Sequence, residues 1–138
     1  MTALSLGERT LTDLDHARLA GLLRRGPLPD RQASPLAELL DAAELVAPRA
    51  VDPDVVTMYS QVLLREANGD ASLKLTVCYP ADAEPEAGFV SVLSPVGAAL
   101  LGRRVGQTVH WRTPSGDARR AEIVALLFQP EASGDYTT

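Results

Sequence analysis

The chain changes its hydrophobic period once. Its first third carries apolar residues at helical spacing, and from residue 57 onward apolar and polar positions mostly alternate as in strands. Thr12-Asp13-Leu14-Asp15 has capping-box form, a hydroxyl followed three residues later by an acid. Leu14, Leu19, Leu22 and Leu23 then make a stripe, with Arg24 and Arg25 at the end where cations suit the helix dipole. Gly26-Pro27-Leu28-Pro29-Asp30 breaks this helix. Ser34-Pro35 opens a second, in which Leu36, Leu39, Leu40, Ala43 and Val46 keep one apolar face until Pro48 stops it. Two helices with so short a link pack antiparallel. About 13 residues each, at about 1.5 Å per residue, makes arms of roughly 20 Å.

The remainder predicts a sheet. Residues 57–65 read as a strand, and Asn68-Gly69 suits a tight hairpin turn. In the return strand Leu73, Leu75, Val77 and Tyr79 face one way, and Lys74, Thr76 and Cys78 the other. Residues 80–88 are an acidic loop with room for one helical turn. Phe89, Ser91 and Leu93 alternate with Val90 and Val92, Ser94 can cap the next helix, and Pro95 fits its first turn. Val96, Ala99 and Leu100 share a helical face, Gly102 supplies a left-handed ending, and Gly106 a second turn. Residues 108–112 then pair across Pro114-Ser115-Gly116-Asp117 with residues 119–128. A short helical hairpin followed by an antiparallel sheet with one short helix is an α+β fold.

Composition narrows the function. The 138 residues suit one domain or a domain with an appendage, and 46% hydrophobic content is ample for a core. Net charge is −5, and neither part of the chain is basic: eight acids face six bases in residues 1–52, ten face seven in 53–138. Strong direct binding to nucleic acid wants a cationic face, and only the pairs Arg24-Arg25, Arg103-Arg104 and Arg119-Arg120 offer local patches. One cysteine, Cys78, excludes an intrachain disulfide and a CxxC metal site. No signal-peptide pattern and no apolar run of membrane-spanning length occurs, so a cytoplasmic chain without membrane contact is expected.

Little catalytic chemistry is visible. His16 and His110 are the only histidines and, with Cys78, make a poor ligand set, since a structural zinc needs four converging ligands. Both histidines read as surface residues and Cys78 as an inert strand residue. Gly97, Gly102 and Gly106 lack the lysine-bearing pattern of a phosphate loop and serve turns instead. Asp82, Glu84 and Glu86 stand at every second position around a proline, a solvated loop without an arrangement for acid–base work. Trp111 faces the same way as Val109 and reads as core.

One string carries more. Residues 89–109, FVSVLSPVGAALLGRRVGQTV, resemble the C-terminal domain of the Gre transcript-cleavage factors, which carries a similar I-S-x-x-S-P-x-x-x-A-L-L-G-x-x-V-G segment. Together with VDPDVVTMYSQVLLRE at 51–66, LLFQPEASGDYTT at 126–138 and the short length, the chain resembles the Rnk family, the regulators of nucleoside diphosphate kinase. That family joins a Gre-like C-terminal domain to a shortened helical hairpin. The resemblance implies a coiled-coil-like hairpin over 1–50 and an FKBP-like sheet domain over 51–138.

Its functional implication is a non-enzymatic transcription regulator that binds RNA polymerase near the secondary channel and competes with Gre factors without stimulating transcript cleavage. In Gre-like domains the Ser-Pro loop contacts polymerase at the channel rim, which assigns that contact to Leu93, Ser94 and Pro95. Gre factors usually have Asp or Asn before the Ser-Pro pair, where Leu93 offers an apolar contact. In Gre factors two acids at the hairpin tip help hold a catalytic Mg²⁺. Here the tip has one acid, Asp30, beside Arg31, a poor magnesium site. No cofactor and no metal is expected, and the chain is expected to be a monomer. The alternative is an FKBP-like prolyl isomerase or chaperone module; such enzymes line their pocket with aromatic rings, and only six aromatic residues occur here.

Overall fold

A computed structural model describes residues 9–25, 35–66, 72–113 and 115–135. Its elements are β1 (Thr10–Thr12), α1 (Asp13–Arg25), α2 (Pro35–Ala42), β2 (Glu44–Val46), β3 (Gln61–Glu66), β4 (Ser72–Cys78), β5 (Phe89–Ser91), α3 (Pro95–Leu100), β6 (Thr108–Arg112) and β7 (Ala118–Phe128). The α+β expectation holds. The hairpin-tip residues Asp30 and Arg31, and the Asn68-Gly69 turn, lie outside the described residues.

Five strands form one sheet in the order β5-β4-β3-β7-β6. Central β3 pairs antiparallel with β4 and β7, and β7 pairs antiparallel with β6. The edge departs from the antiparallel expectation, because β5 runs parallel to β4, with Val77 opposite Val90. Parallel neighbours need a connection that returns the chain to its starting end. Residues 79–88 do this through two 3-10 turns, Pro80–Asp82 and Pro85–Ala87. The Thr76 amide then donates to the Gly88 carbonyl at 2.7 Å.

Register shifts between β3 and β7 leave Val124 and Leu127 as extra residues in the long β7. Such bulges bend a strand and strengthen its twist. The curled inner face presents Val62, Leu64, Val77, Val109, Ala121 and Ile123, all buried. Leu11, Leu19, Leu23, Leu36, Leu39 and Leu40 from the first 50 residues join the same core cluster, with Leu100 and Leu101 at α3. Full burial of one such side chain is worth roughly 1.5–3 kcal/mol, so the helices are held by tertiary packing more than by propensity.

Two local expectations shift. The second helix stops at Ala42, and Glu44–Val46 instead pairs parallel with Thr10–Thr12. The pattern through Ala43 and Val46 is helical, yet the Glu44 amide finds the Arg9 carbonyl at 2.8 Å, a partner 35 positions away that no window contains. The first sheet strand begins at Gln61 rather than residue 57. Residues 57–60 form a turn, with Tyr59 at φ 65° and the Thr57 amide donating to Ser60 Oγ at 2.8 Å.

Candidate functional site

The Ser-Pro segment is built as a rigid turn. Ser94 caps α3 from an extended backbone, and its Oγ accepts from the Gly97 amide at 3.1 Å while donating to the Ser91 carbonyl at 2.6 Å. The Ser91 carbonyl also accepts from the Ser94 amide at 2.9 Å, and Ser91 Oγ accepts from the Leu93 amide at 3.0 Å. The turn packs so closely that a Cβ on Gly97 would lie 2.0 Å from the Ser91 carbonyl oxygen. Only a residue without a side chain fits there. Gly102 ends the segment with φ +82°, as its sequence position predicts.

These bonds leave Pro95 exposed at the tip and Ser94 and Leu93 half-buried, Leu93 packing against the core. Ser94 Oγ has both a donor and an acceptor engaged, with no histidine or carboxylate among its partners, so it is an architectural hydroxyl and not an activated nucleophile. Beside the turn lies an apolar cleft of about 280 Å³, walled by Pro95 and Val96 of α3, Trp111 of β6, and Ala83 and Pro85 of the link after β4. Trp111, read as core, is half-buried: it packs against the core and also forms part of this wall. Arg9 holds the other end of α3, donating from Nη1 to the carbonyls of Ala98 and Leu101 at 2.7 and 2.8 Å. Burial, then the nearby charge of Arg103, lowers the Arg9 pKa to about 10, leaving it protonated at neutral pH.

A second constellation was not foreseen. Asp15, 1% exposed, stands one helical turn before Leu19 on the apolar stripe of α1. It does not close the capping box: its Oδ2 accepts from the Met58 amide at 3.2 Å, while Thr12 Oγ1 accepts from the Asp15 amide at 3.0 Å. Burial first, and then the charge of Glu131, raise the Asp15 pKa to about 7 against the Met58 and Thr12 hydrogen bonds and Arg18, which lower it. Next to it Thr57 Oγ1 donates to Glu131 Oε1 at 2.7 Å and shares a hydrogen bond with Ser60. Gln129 Nε2 donates to the carbonyls of Asp52 and Val55 at 2.8 and 2.7 Å. The DVVTM and QPEA strings, more than 70 residues apart, are therefore bonded to one another. The available signal was an acid on an otherwise apolar helical face.

The other candidates fall where their chemistry is quiet. His110 is exposed on β6, whereas His16, read as a surface residue, is half-buried and its Nε2 lies 2.9 Å from the Leu40 carbonyl, joining α1 to α2. Cys78 is buried with its thiol 3.5 Å from the Val90 carbonyl, and burial raises its pKa. Asp82, Glu84 and Glu86 are exposed, Asp82 accepting the Tyr59 hydroxyl. Among the described residues no three His, Cys, Asp or Glu side chains converge on a metal position, and no helix is long and apolar enough to cross a membrane.

Residues 51–127, which enclose the Ser-Pro turn and the cleft, match the family described as "Transcription elongation factor, GreA/GreB, C-term". A solved "Prokaryotic transcription elongation factor GreA/GreB from Nitrosomonas europaea" superposes with a TM-score of 0.73 at 36% identity, over 88% of this chain and 98% of that one. The fold and turn are thus those of a Gre-type transcription-factor domain. The chain is also 40% identical over 130 residues to the "Regulator of nucleoside diphosphate kinase" of Escherichia coli strain K12, spanning 91% of this chain and 93% of that protein. It is 33% identical to "Transcription elongation factor GreA" of Acidiphilium cryptum, over 67% of this chain and 59% of that protein. The chain belongs to the Rnk family, the regulators of nucleoside diphosphate kinase, within the GreA/GreB group. These relatives are named as regulators and transcription factors rather than enzymes.

Proposed function

We propose that this chain is a non-enzymatic, monomeric, cytoplasmic regulator of transcription elongation that binds RNA polymerase at the rim of the secondary channel and competes with Gre factors without stimulating transcript cleavage. Residues 51–138 would act as the docking domain, with Leu93, Ser94 and Pro95 at the contact, and residues 1–50 as a short hairpin at the channel mouth. The observation that carries the reading is the family match over residues 51–127, which contains a Ser-Pro turn braced on both sides and exposing Pro95. Occupancy without cleavage is supported by arm length. The 13 residues of α1 span roughly 20 Å at about 1.5 Å per residue, and the 8 residues of α2, fewer than the expected 13, roughly 12 Å. The tip sequence adds one acid, Asp30, beside Arg31, and a carboxylate next to a guanidinium is a weak magnesium ligand.

The test uses a backtracked transcription complex. The chain alone should release no 3′ RNA fragment, and it should reduce fragment release by an added Gre factor as its dose rises. Release by the chain alone would sink the non-cleaving assignment, and an unaltered Gre factor response would sink the competition.

A further inference from the structure

The outer face of the sheet, opposite the core, combines two features. Cross-strand register places Phe89 of β5, Thr76 of β4, Gln61 of β3 and Phe128 of β7 in one row on this face. Phe89 and Phe128 are 38% and 47% exposed. Three strand spacings of about 4.8 Å set their backbones about 14 Å apart. The following rows carry Lys74, then Arg65 opposite Glu122, then Arg120 opposite His110, all five of them exposed. Arg65, Lys74 and Arg120 have no ion-pair partner among the described residues, whereas Arg104 and Arg119, off this face, are paired with acids. A single exposed apolar side chain is ordinary in a folded protein. Two aromatic rings in one register row, bordered by three unpaired cations, form a surface with a chemistry of its own. The sequence conceals it, because residues 65, 74 and 120 stand on three different strands that only the sheet gathers.

We propose that this face binds single-stranded nucleic acid, with bases stacked on Phe89 and Phe128 and phosphates held by Lys74, Arg65 and Arg120. The site shares no residue with the Ser-Pro turn and does not depend on the docking reading. Charge selects the occupant. The chain carries −5 overall, yet these rows present three unpaired cations against one acid, Glu122. A polyanion is attracted there, where a second copy would meet its own charge. The rings select an unpaired strand, since every base has a π face and an unstacked base can lay it on an aromatic side chain. A duplex, with its bases already stacked, offers the cations phosphates alone. Between the rings and the distal cations lie Leu63 and Ala125, half-buried side chains without a hydrogen-bonding group. Recognition therefore follows stacking and charge rather than base sequence.

The experiment uses the full chain and a fluorescein-labelled, mixed-sequence single-stranded RNA of about 10 nucleotides, read by fluorescence anisotropy. Single-stranded DNA and a duplex of the same length are measured beside it. Either single strand should bind, and more tightly than the duplex. Three phosphate contacts predict a log–log salt slope of about −2, an about 20-fold loss of affinity between about 50 and 200 mM salt. Phe89→Ala and Phe128→Ala should each weaken binding about 5- to 150-fold with the melting temperature unchanged, and Phe128→Tyr, which keeps a ring, should not. Lys74→Gln, Arg65→Gln and Arg120→Gln should each reduce the slope by about 0.7. These three exposed charges can be removed without touching the core, so a ring variant that misfolds leaves the test standing. No binding at low salt, a duplex bound as tightly as the single strands, or a slope unaltered by all three charge variants would each overturn the proposal. Equal competition by polyglutamate would assign the face to an acidic protein segment, and a sedimentation dimer dissolved by Phe128→Ala would assign it to a second copy; either result would also overturn it.

Discussion

Replacing Asp15 by Asn should change the pH dependence of stability in a specific direction. The carboxyl is enclosed by α1, the Met58 backbone and Glu131; Oδ2 has the Met58 amide and Oδ1 has no hydrogen-bond partner among the described residues. Burial therefore favours the neutral acid, and its pKa rises to about 7. A carboxyl whose pKa is raised on folding contributes stability that is complete below the unfolded value, about 4, and is lost as pH climbs through the folded one. At about 1.4 kcal/mol per unit, a rise of about three units corresponds to about 4 kcal/mol across pH 4 to 8. That is a large part of the roughly 5–15 kcal/mol that holds a domain together. An asparagine keeps an oxygen for the Met58 amide and cannot ionise. Urea unfolding of both chains between pH 5 and 8 isolates the effect, because other groups cancel in the difference. By pH 5 about a third of this difference should already have developed, and the advantage of Asp15→Asn should keep growing with pH and level off above about pH 7. A difference that stays flat or falls with rising pH would refute burial as the dominant influence on Asp15.

Other perturbations follow from specific contacts. Gly97→Ala drives a methyl to 2.0 Å from the Ser91 carbonyl oxygen, so it should destabilise by at least the ~1–3 kcal/mol of ordinary overpacking and weaken polymerase binding; an unchanged melting temperature would show that the turn yields. Thr57→Val leaves the buried Glu131 without its hydroxyl donor and should cost about 1–3 kcal/mol in denaturant unfolding, with Thr57→Ser recovering most of it. Arg119→Ala removes the exposed pair with Glu66 and should change stability by no more than about 1 kcal/mol, a contrast measurable in the same assay. Pro95→Ala should leave stability nearly unaltered, since many residues suit a first helical turn, yet it should weaken binding to polymerase.

Much of the scaffold was legible in the order of residues alone. Two-residue alternation places β3, β6 and most of β7, and the Thr12 and Ser94 hydroxyls cap the helices that follow them. Gly102 turns left-handed where the helical pattern ends. In each case the determining contacts lie within a few residues, so a short window holds the cause. Elsewhere the cause is remote. Glu44–Val46 leaves a helical pattern because Arg9 and β1 offer backbone partners, and β5 runs parallel because its link returns along the sheet edge. Alternation in β4 fails for the same reason: Thr76 and Cys78, expected opposite the apolar face, are buried, and Leu73, expected on that face, is exposed. Asp15 reads as half of a capping box until Met58 is brought against it, and Thr57 meets Glu131 across 74 positions. The cleft joins the first turn of α3 to Trp111 and to Pro85 of the acidic loop, three places that only the curl of the sheet makes neighbours. A local pattern specifies which face a residue presents; only the folded chain decides what that face meets, because burial and hydrogen-bond partners are properties of contacts and not of positions.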